Sequence, residues 1–140
     1  MNNKMILQFS SLSENEQFAR TAVAGFIAYL DPTIEVLTDV KTAVSEAVTN
    51  CIVHGYPNQK GEVLLECEIL NGVLHIKITD NGVGIEDVNR VLEPFYTSKP
   101  LEERSGMGFT IMRTFMDSFE IFSDINKGTT VLMTKNVKSA

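Results

Sequence analysis

An α+β fold, with a mixed, mostly antiparallel sheet covered on one face by helices in a two-layer sandwich, is predicted by three features. Two stretches of alternating apolar residues meet at Asn71-Gly72, a dipeptide suited to the positive φ angles of a two-residue hairpin. A second such pair meets over Asn126-Lys127-Gly128. Around them lie longer segments with apolar residues at helical spacing. Helices accompanying hairpins, rather than alternating with single strands, imply a largely antiparallel sheet with helices on one side.

Each element has its own signal. Met5 to Phe9 alternates as a strand with Met5, Leu7 and Phe9 on one face. Its polar ends and terminal position predict a sheet edge, which invites pairing with a second copy. Ser13-Glu14-Asn15-Glu16 reads as a capping box opening a helix that ends near Asp31-Pro32 and packs through Phe18, Ala22, Phe26 and Leu30. Glu14, Gln17, Arg20 and Thr21 then face solvent or a partner. A second helix runs from about Pro32 to His54 and stops at Gly55, with Val40, Val44, Ala47, Val48, Cys51 and Ile52 as its apolar stripe. Glu62 to Leu70 and Val73 to Thr79 form the first hairpin, and a short helix is expected near Glu86 to Leu92. Gly106 opens a helix whose apolar side carries Phe109, Met112, Phe115, Met116 and Phe119. Glu120 to Ile125 and Thr129 to Lys135 form the second hairpin. With no repeat or linker, residues 1–140 are expected to be one domain.

A chain of 140 residues buries one core, and 44% hydrophobic with 21% charged residues is ordinary globular composition. A net charge of −6 argues against direct nucleic-acid binding, which needs clustered Lys and Arg, and favours a protein partner with basic surfaces. Cys51 and Cys67 read as buried thiols. No secretory pattern opens the chain, and the longest apolar stretch, Ala22 to Leu30, is too short to span a bilayer. A soluble cytoplasmic protein without membrane contact is expected.

The chemistry-bearing residues fall in a fixed order. Glu46 and Asn50 stand four apart, on one face of the second helix. An Asn amide oxygen is a hard ligand suited to Mg²⁺ shared with substrate phosphates, and the carboxylate beside it can take a proton from an attacking hydroxyl or water. Asp80 ends a strand and is followed by Asn81-Gly82-Val83-Gly84. There it can accept the exocyclic amine of adenine, while Gly82 and Gly84 let a flat ring approach the backbone. Gly106 and Gly108 open a helix whose unpaired N–H groups suit phosphate oxygens. The charged stretch 93–105 has too little apolar content to bury itself and reads as a mobile lid. Within it Lys99 or Arg104 can neutralise phosphate charge, and His54, one turn beyond Asn50, can touch the phosphates. Each of these also has a plain structural reading: a solvated helix face for Glu46 and Asn50, a capped turn for Asp80, a solvated charge cluster for Lys99 and Arg104. His75 reads as a surface strand residue.

At these residues the chain resembles the nucleotide-binding superfamily of DNA gyrase B, the Hsp90 chaperones, bacterial histidine kinases and MutL, with its Bergerat-type ATP-binding fold. Glu46-Ala47-Val48-Thr49-Asn50 is similar to its asparagine-bearing helix, Asp80 to Gly84 to its first glycine box, and Gly106-Met107-Gly108-Phe109 to its second. The segment from Glu93 to Lys99 resembles the entry to the ATP lid. Gly128-Thr129-Thr130-Val131 resembles the strand whose threonine supports the adenine-binding aspartate. The resemblance runs from roughly Phe9 to Lys135, and length and the run Ser45 to Asn50 look most like the bacterial anti-sigma factor serine kinases. It implies ATP and Mg²⁺ as cofactors, with Asn50 on the metal. It also implies nucleotide contacts from His54, Asp80, Gly82, Gly84, Thr97, Ser98, Lys99, Arg104, Ser105, Gly106, Met107, Gly108 and Phe109, with support from Thr130. Glu46 is the implied catalytic base. Independently of the resemblance, Arg20, the only arginine or lysine between Lys4 and Lys41, reads as a docking residue for a carboxylate or simply as the partner of a neighbouring Glu. Implied partners are an RNA polymerase sigma factor, an anti-anti-sigma factor carrying the acceptor serine, and a second copy in a homodimer. A slow ATPase remains open because the same base serves either nucleophile, and so does a nucleotide-gated binding module, which has no need of a base at Glu46.

Overall fold

Asn71 and Gly72 both adopt positive φ, 53° and 80°, and so close the hairpin of β2 (Glu62–Leu70) and β3 (Val73–Asp80) in the handedness that matches strand twist. The computed structural model describes residues 2–92 and 108–138, and only the backbone of Val91. The second hairpin joins β4 (Ser118–Asp124) to β5 (Gly128–Asn136), with Asn126 and Gly128 at positive φ. Strand β1 (Asn3–Ser10) pairs with β2, giving the order β1-β2-β3-β5-β4. β1 is therefore an edge strand, as its sequence implies. All four ladders among the described residues are antiparallel, so the parallel pairing of a mixed sheet is not found there.

Helices α1 (Glu14–Ile27), α2 (Ile34–Asn50), the single turn α3 (Val88–Val91) and α4 (Gly108–Phe115) complete the described elements. α2 packs against both α1 and α4. The core lies between this layer and one sheet face: Val63, Leu65, Cys67 and Ile69 of β2, Leu74, Ile76 and Ile78 of β3, and Val131 and Met133 of β5 are buried beside Val40, Val44 and Val48 of α2. Each fully buried Leu, Ile or Val contributes about 1.5–3 kcal/mol. The other sheet face carries exposed Ile6, His75, Lys77 and Phe122.

Three expectations are corrected. α1 buries Ala19, Val23 and Ile27, while Phe18 is 53% exposed; two stripes one residue apart are both apolar, and the inner one carries the smaller Ala19 and Val23. Ser13 has helical angles and makes no side-chain cap to the backbone; its hydroxyl meets the Glu14 carboxylate instead, so no capping box forms. α4 ends at Phe115, and Phe119 belongs to β4, where its ring meets Phe109 at a centroid separation of 6.0 Å. The start of α2 is set locally. Asp31 takes a left-handed conformation that ends a 3₁₀ turn before Pro32, and the Thr33 hydroxyl accepts the Val36 N–H at 3.1 Å.

Candidate functional site

α2 does not run as regular α-helix to His54. After Asn50 it widens into a π turn over Cys51–Gly55, closed by the Tyr56 N–H on the Cys51 carbonyl at 3.2 Å. Such turns concentrate at functional sites. The turn carries Gly55 against the end of β3, where a Cβ on Gly55 would stand 2.9 Å from the Asp80 carboxyl carbon. Asp80 is only 3% exposed, and it is the one buried charged residue among those described.

Its carboxylate accepts the Gly82 N–H on Oδ1 at 2.9 Å, and the Cys51 thiol and the Thr129 backbone lie close enough to favour its charged form. Burial pushes the Asp80 carboxyl above its usual range, and these three contacts pull it back. The result is a buried acceptor at a strand end, chemistry suited to an amine donor.

The glycines of the box are also required by the protein's own backbone. A Cβ on Gly82 would stand 1.8 Å from the Gly55 carbonyl oxygen, and one on Gly84, at φ 74°, 2.0 Å from the Asp124 oxygen. The protein's own backbone fills the space beside both residues. Val83 N–H donates to Gly55 O at 2.9 Å, and Asn126 N–H to Val83 O at 2.7 Å. The box is thereby locked between the π turn and the β4–β5 turn. Gly128 at φ 96° lies over the Asp80 carbonyl. Tyr56 completes the frame: its hydroxyl donates to Glu62 O at 2.8 Å and accepts the Asn81 N–H at 2.7 Å.

Thr130 does not stand where support for Asp80 was expected. The register pairs Asp80 with Thr129 and Thr79 with Thr130. Since side chains alternate across a strand, Thr129 shares the face of Asp80 and Thr130 lies on the other. Thr129 joins a hydroxyl chain with Ser123 at 2.7 Å, and Ser123 accepts the Ile85 N–H at 2.8 Å. The one-residue choice between adjacent threonines needs the register, which sequence alone leaves free.

Asn50, the last residue of α2, has a buried Nδ2 without a hydrogen-bond partner among the described residues. Its amide is thus not locked by protein bonds and fits a side chain that turns its oxygen to a cation. No group of three or more His, Cys, Asp or Glu able to hold a metal occurs among the described residues. Glu46, one turn earlier, lines a polar groove of about 370 Å³ between α1 and α2 with Arg20, Lys41, Ser45 and Thr49. Arg20 also meets Glu16 at 3.8 Å. His54 is half-buried within the π turn, so α-helical spacing no longer sets its direction relative to Asn50. Gly108 is buried at the first position of α4, with Phe109 half-buried after it. Thr97, Ser98, Lys99, Arg104, Ser105, Gly106, Met107 and the rest of the expected lid lie outside the described residues.

Residues 9–135 match the family described as the histidine kinase-like ATPase domain. The chain is 56% identical over 140 residues to an anti-sigma F factor of Clostridium perfringens, covering 99% of this chain and 100% of that protein. It is 61% identical over 134 residues to one of Clostridium botulinum, covering 95% and 94%, and 55% identical over 141 residues to one of Oceanobacillus iheyensis, covering 100% and 97%. Among solved structures it is similar to the RsbU and RsbW domains of a Mycobacterium tuberculosis protein (TM-score 0.69, 16% identity, 96% of this chain and 32% of that one). It is also similar to the catalytic domain of the histidine kinase ThkA (TM-score 0.59, 14% identity, 97% and 99%). These two likenesses establish a shared fold. With a family match over most of its length and relatives above 50% identity along nearly the whole chain, the chain belongs to the histidine kinase-like ATPase domain family and, within it, to the anti-sigma F factors.

Proposed function

We propose that this protein is an anti-sigma factor that holds an RNA polymerase sigma factor of the F type inactive and, as an ATP-dependent protein serine kinase, phosphorylates an anti-anti-sigma factor on serine. The observation that carries the nucleotide half is the buried Asp80 carboxylate, held by the Gly82 N–H beside the π turn that follows Asn50. In this reading Asp80 accepts the adenine amine and Asn50 supplies the protein ligand to Mg²⁺. Gly106 to Phe109 and the lid residues Thr97, Ser98, Lys99, Arg104 and Ser105 meet the phosphates. Magnesium, when bound, neutralises phosphate charge. Glu46 takes the proton from the partner's serine as that oxygen bonds to the γ-phosphorus and the bond to the bridging oxygen breaks, leaving ADP. Phosphoryl transfer otherwise needs mainly positioning. No described helix is long and apolar enough to cross a membrane, and a cytoplasmic site of action follows from a sigma factor partner.

The sigma half is tested by transcription in vitro. Purified protein with ATP should silence transcription by holoenzyme carrying the sigma factor and spare holoenzyme carrying another. Full transcription at saturating protein contradicts the reading.

Arg20 is the proposed docking residue, because it opens onto the same groove as Glu46. Arg20→Ala should weaken sigma or anti-anti-sigma binding at least severalfold with ATP affinity unchanged, since its guanidinium offers five donors suited to a carboxylate. The Glu16 contact is a surface ion pair worth about 0–1 kcal/mol, so the fold should tolerate the change. Titration of both ligands decides it, and normal partner binding by the variant sinks the docking role.

Assembly as a homodimer is proposed from the edge position of β1, whose outward backbone groups are a template for strand addition. Sedimentation at micromolar concentration with ATP should give the dimer mass. A monomer mass alone contradicts it.

A further inference from the structure

Ser123 of β4 takes no part in the chemistry proposed above, yet its hydroxyl ties together the two ends of the glycine box. A hydroxyl has one proton to give and two lone pairs, and all three are used here. The proton goes to the Gly128 carbonyl at 2.9 Å, while the oxygen accepts the Ile85 N–H at 2.8 Å and meets the Thr129 hydroxyl at 2.7 Å. Gly128 and Thr129 stand at the start of the box: Gly128 lies over the Asp80 carbonyl, and Thr129 pairs with Asp80 in the β3–β5 ladder. Ile85 is the first residue beyond the last glycine of the box. The Ser123 side chain therefore spans the mouth of the loop, from the neighbours of Asp80 to the residue at which the chain leaves. Inside the mouth the loop is held by backbone groups at Val83 and by the Tyr56 hydroxyl at Asn81.

We propose that Ser123 is a positioning residue for nucleotide binding: its hydroxyl fixes Ile85 relative to Asp80 and so holds the exit of the loop that receives the base. This rests on the reading of the Asp80 loop as the base-binding element. Without the hydroxyl the β4–β5 ladder keeps its pairing, but the Ile85 N–H loses its acceptor and the loop exit opens locally. Ordering that exit again when the nucleotide binds then costs affinity. A side chain that merely completed the sheet would lower stability and leave the affinity of the folded protein unchanged.

The test uses two variants of the full chain that differ only in the hydroxyl. Ser123→Thr keeps it, and Ser123→Val puts a methyl group in its place, so that shape and strand preference are matched. ATP affinity, measured by calorimetric titration, should fall about two- to tenfold in Ser123→Val, as expected for one hydrogen bond, and stand at the parental value in Ser123→Thr. Ser123→Ala, which removes the hydroxyl without adding bulk, should repeat the loss. Hydrogen exchange at the Ile85 amide should be faster in the Val and Ala variants than in the parent, while the Ile76 and Ile78 amides of β3 stay protected in all, and thermal melts confirm that each variant is folded. Equal ATP affinity in the Thr and Val variants, or unchanged exchange at Ile85 in Ser123→Val, overturns the proposal while leaving Asp80 in place. Parental ATP affinity in a folded Asp80→Asn variant removes the nucleotide reading of the loop itself, and the role of Ser123 with it.

Discussion

Glu46→Ala is expected to lower phosphoryl transfer to the partner serine by about 10²- to 10⁴-fold, the share of a positioned general base, while nucleotide binding is retained. Glu46 is half-buried on the rim of the α1–α2 groove, outside the stripe of Val40, Val44, Ala47 and Val48 that packs the core. Asn50→Ala should act differently, removing the metal dependence of nucleotide binding. Single-turnover transfer by Glu46→Ala at the parental rate would make the base assignment wrong and favour a nucleotide-gated binding module, which has no need of a base there.

Asp80→Asn should weaken ATP binding by about 1.5–3 kcal/mol, the worth of a hydrogen bond involving a charged group, or roughly ten- to hundredfold in affinity. The acceptor must be ionised to take the amine. Because burial raises its pKa, ATP affinity should fall as pH drops through that raised value, sooner than an ordinary carboxylate would allow. The sign for stability is the reverse. A raised folded-state pKa means that protonation favours the folded protein, so the ionised Asp80 costs stability at neutral pH. Removing its charge should therefore not lower the melting temperature by more than a few degrees, equivalent to about 1 kcal/mol. Calorimetric titration with ATP across pH checks the first sign, and thermal melts of Asp80→Asn check the second. Undiminished affinity in the folded variant takes Asp80 out of the site.

Much of the architecture was legible from sequence because its signals are local. Asn71-Gly72 and Asn126-Lys127-Gly128 specify turns through the φ angles that Asn and Gly tolerate, and both hairpins stand as expected. The Val40-Val44-Ala47-Val48-Cys51 stripe turned inward, and Asp80 ended its strand. What sequence left hidden depends on contacts between distant segments. Whether Phe18 or Ala19 faces inward on α1 depends on how closely that helix approaches α2, and periodicity cannot choose between adjacent stripes. Thr129 and Thr130 are likewise separated only by the β3–β5 register. Gly82 and Gly84 read as openings for a ligand, and only the structure adds that a Cβ at either would strike the backbone of Gly55 or Asp124. The π turn has no signature in residue spacing, and without it Cys51 reads as a core thiol rather than a neighbour of Asp80. His54 loses its assumed alignment with Asn50 for the same reason.

The most direct test of the account is the fate of the γ-phosphoryl group. Protein incubated with γ-labelled ATP, Mg²⁺ and the candidate anti-anti-sigma protein should transfer label to that partner as acid-stable phosphoserine, and Glu46→Ala should nearly abolish the transfer. Label appearing only as inorganic phosphate, or remaining on ATP while the nucleotide is bound, would contradict the kinase reading.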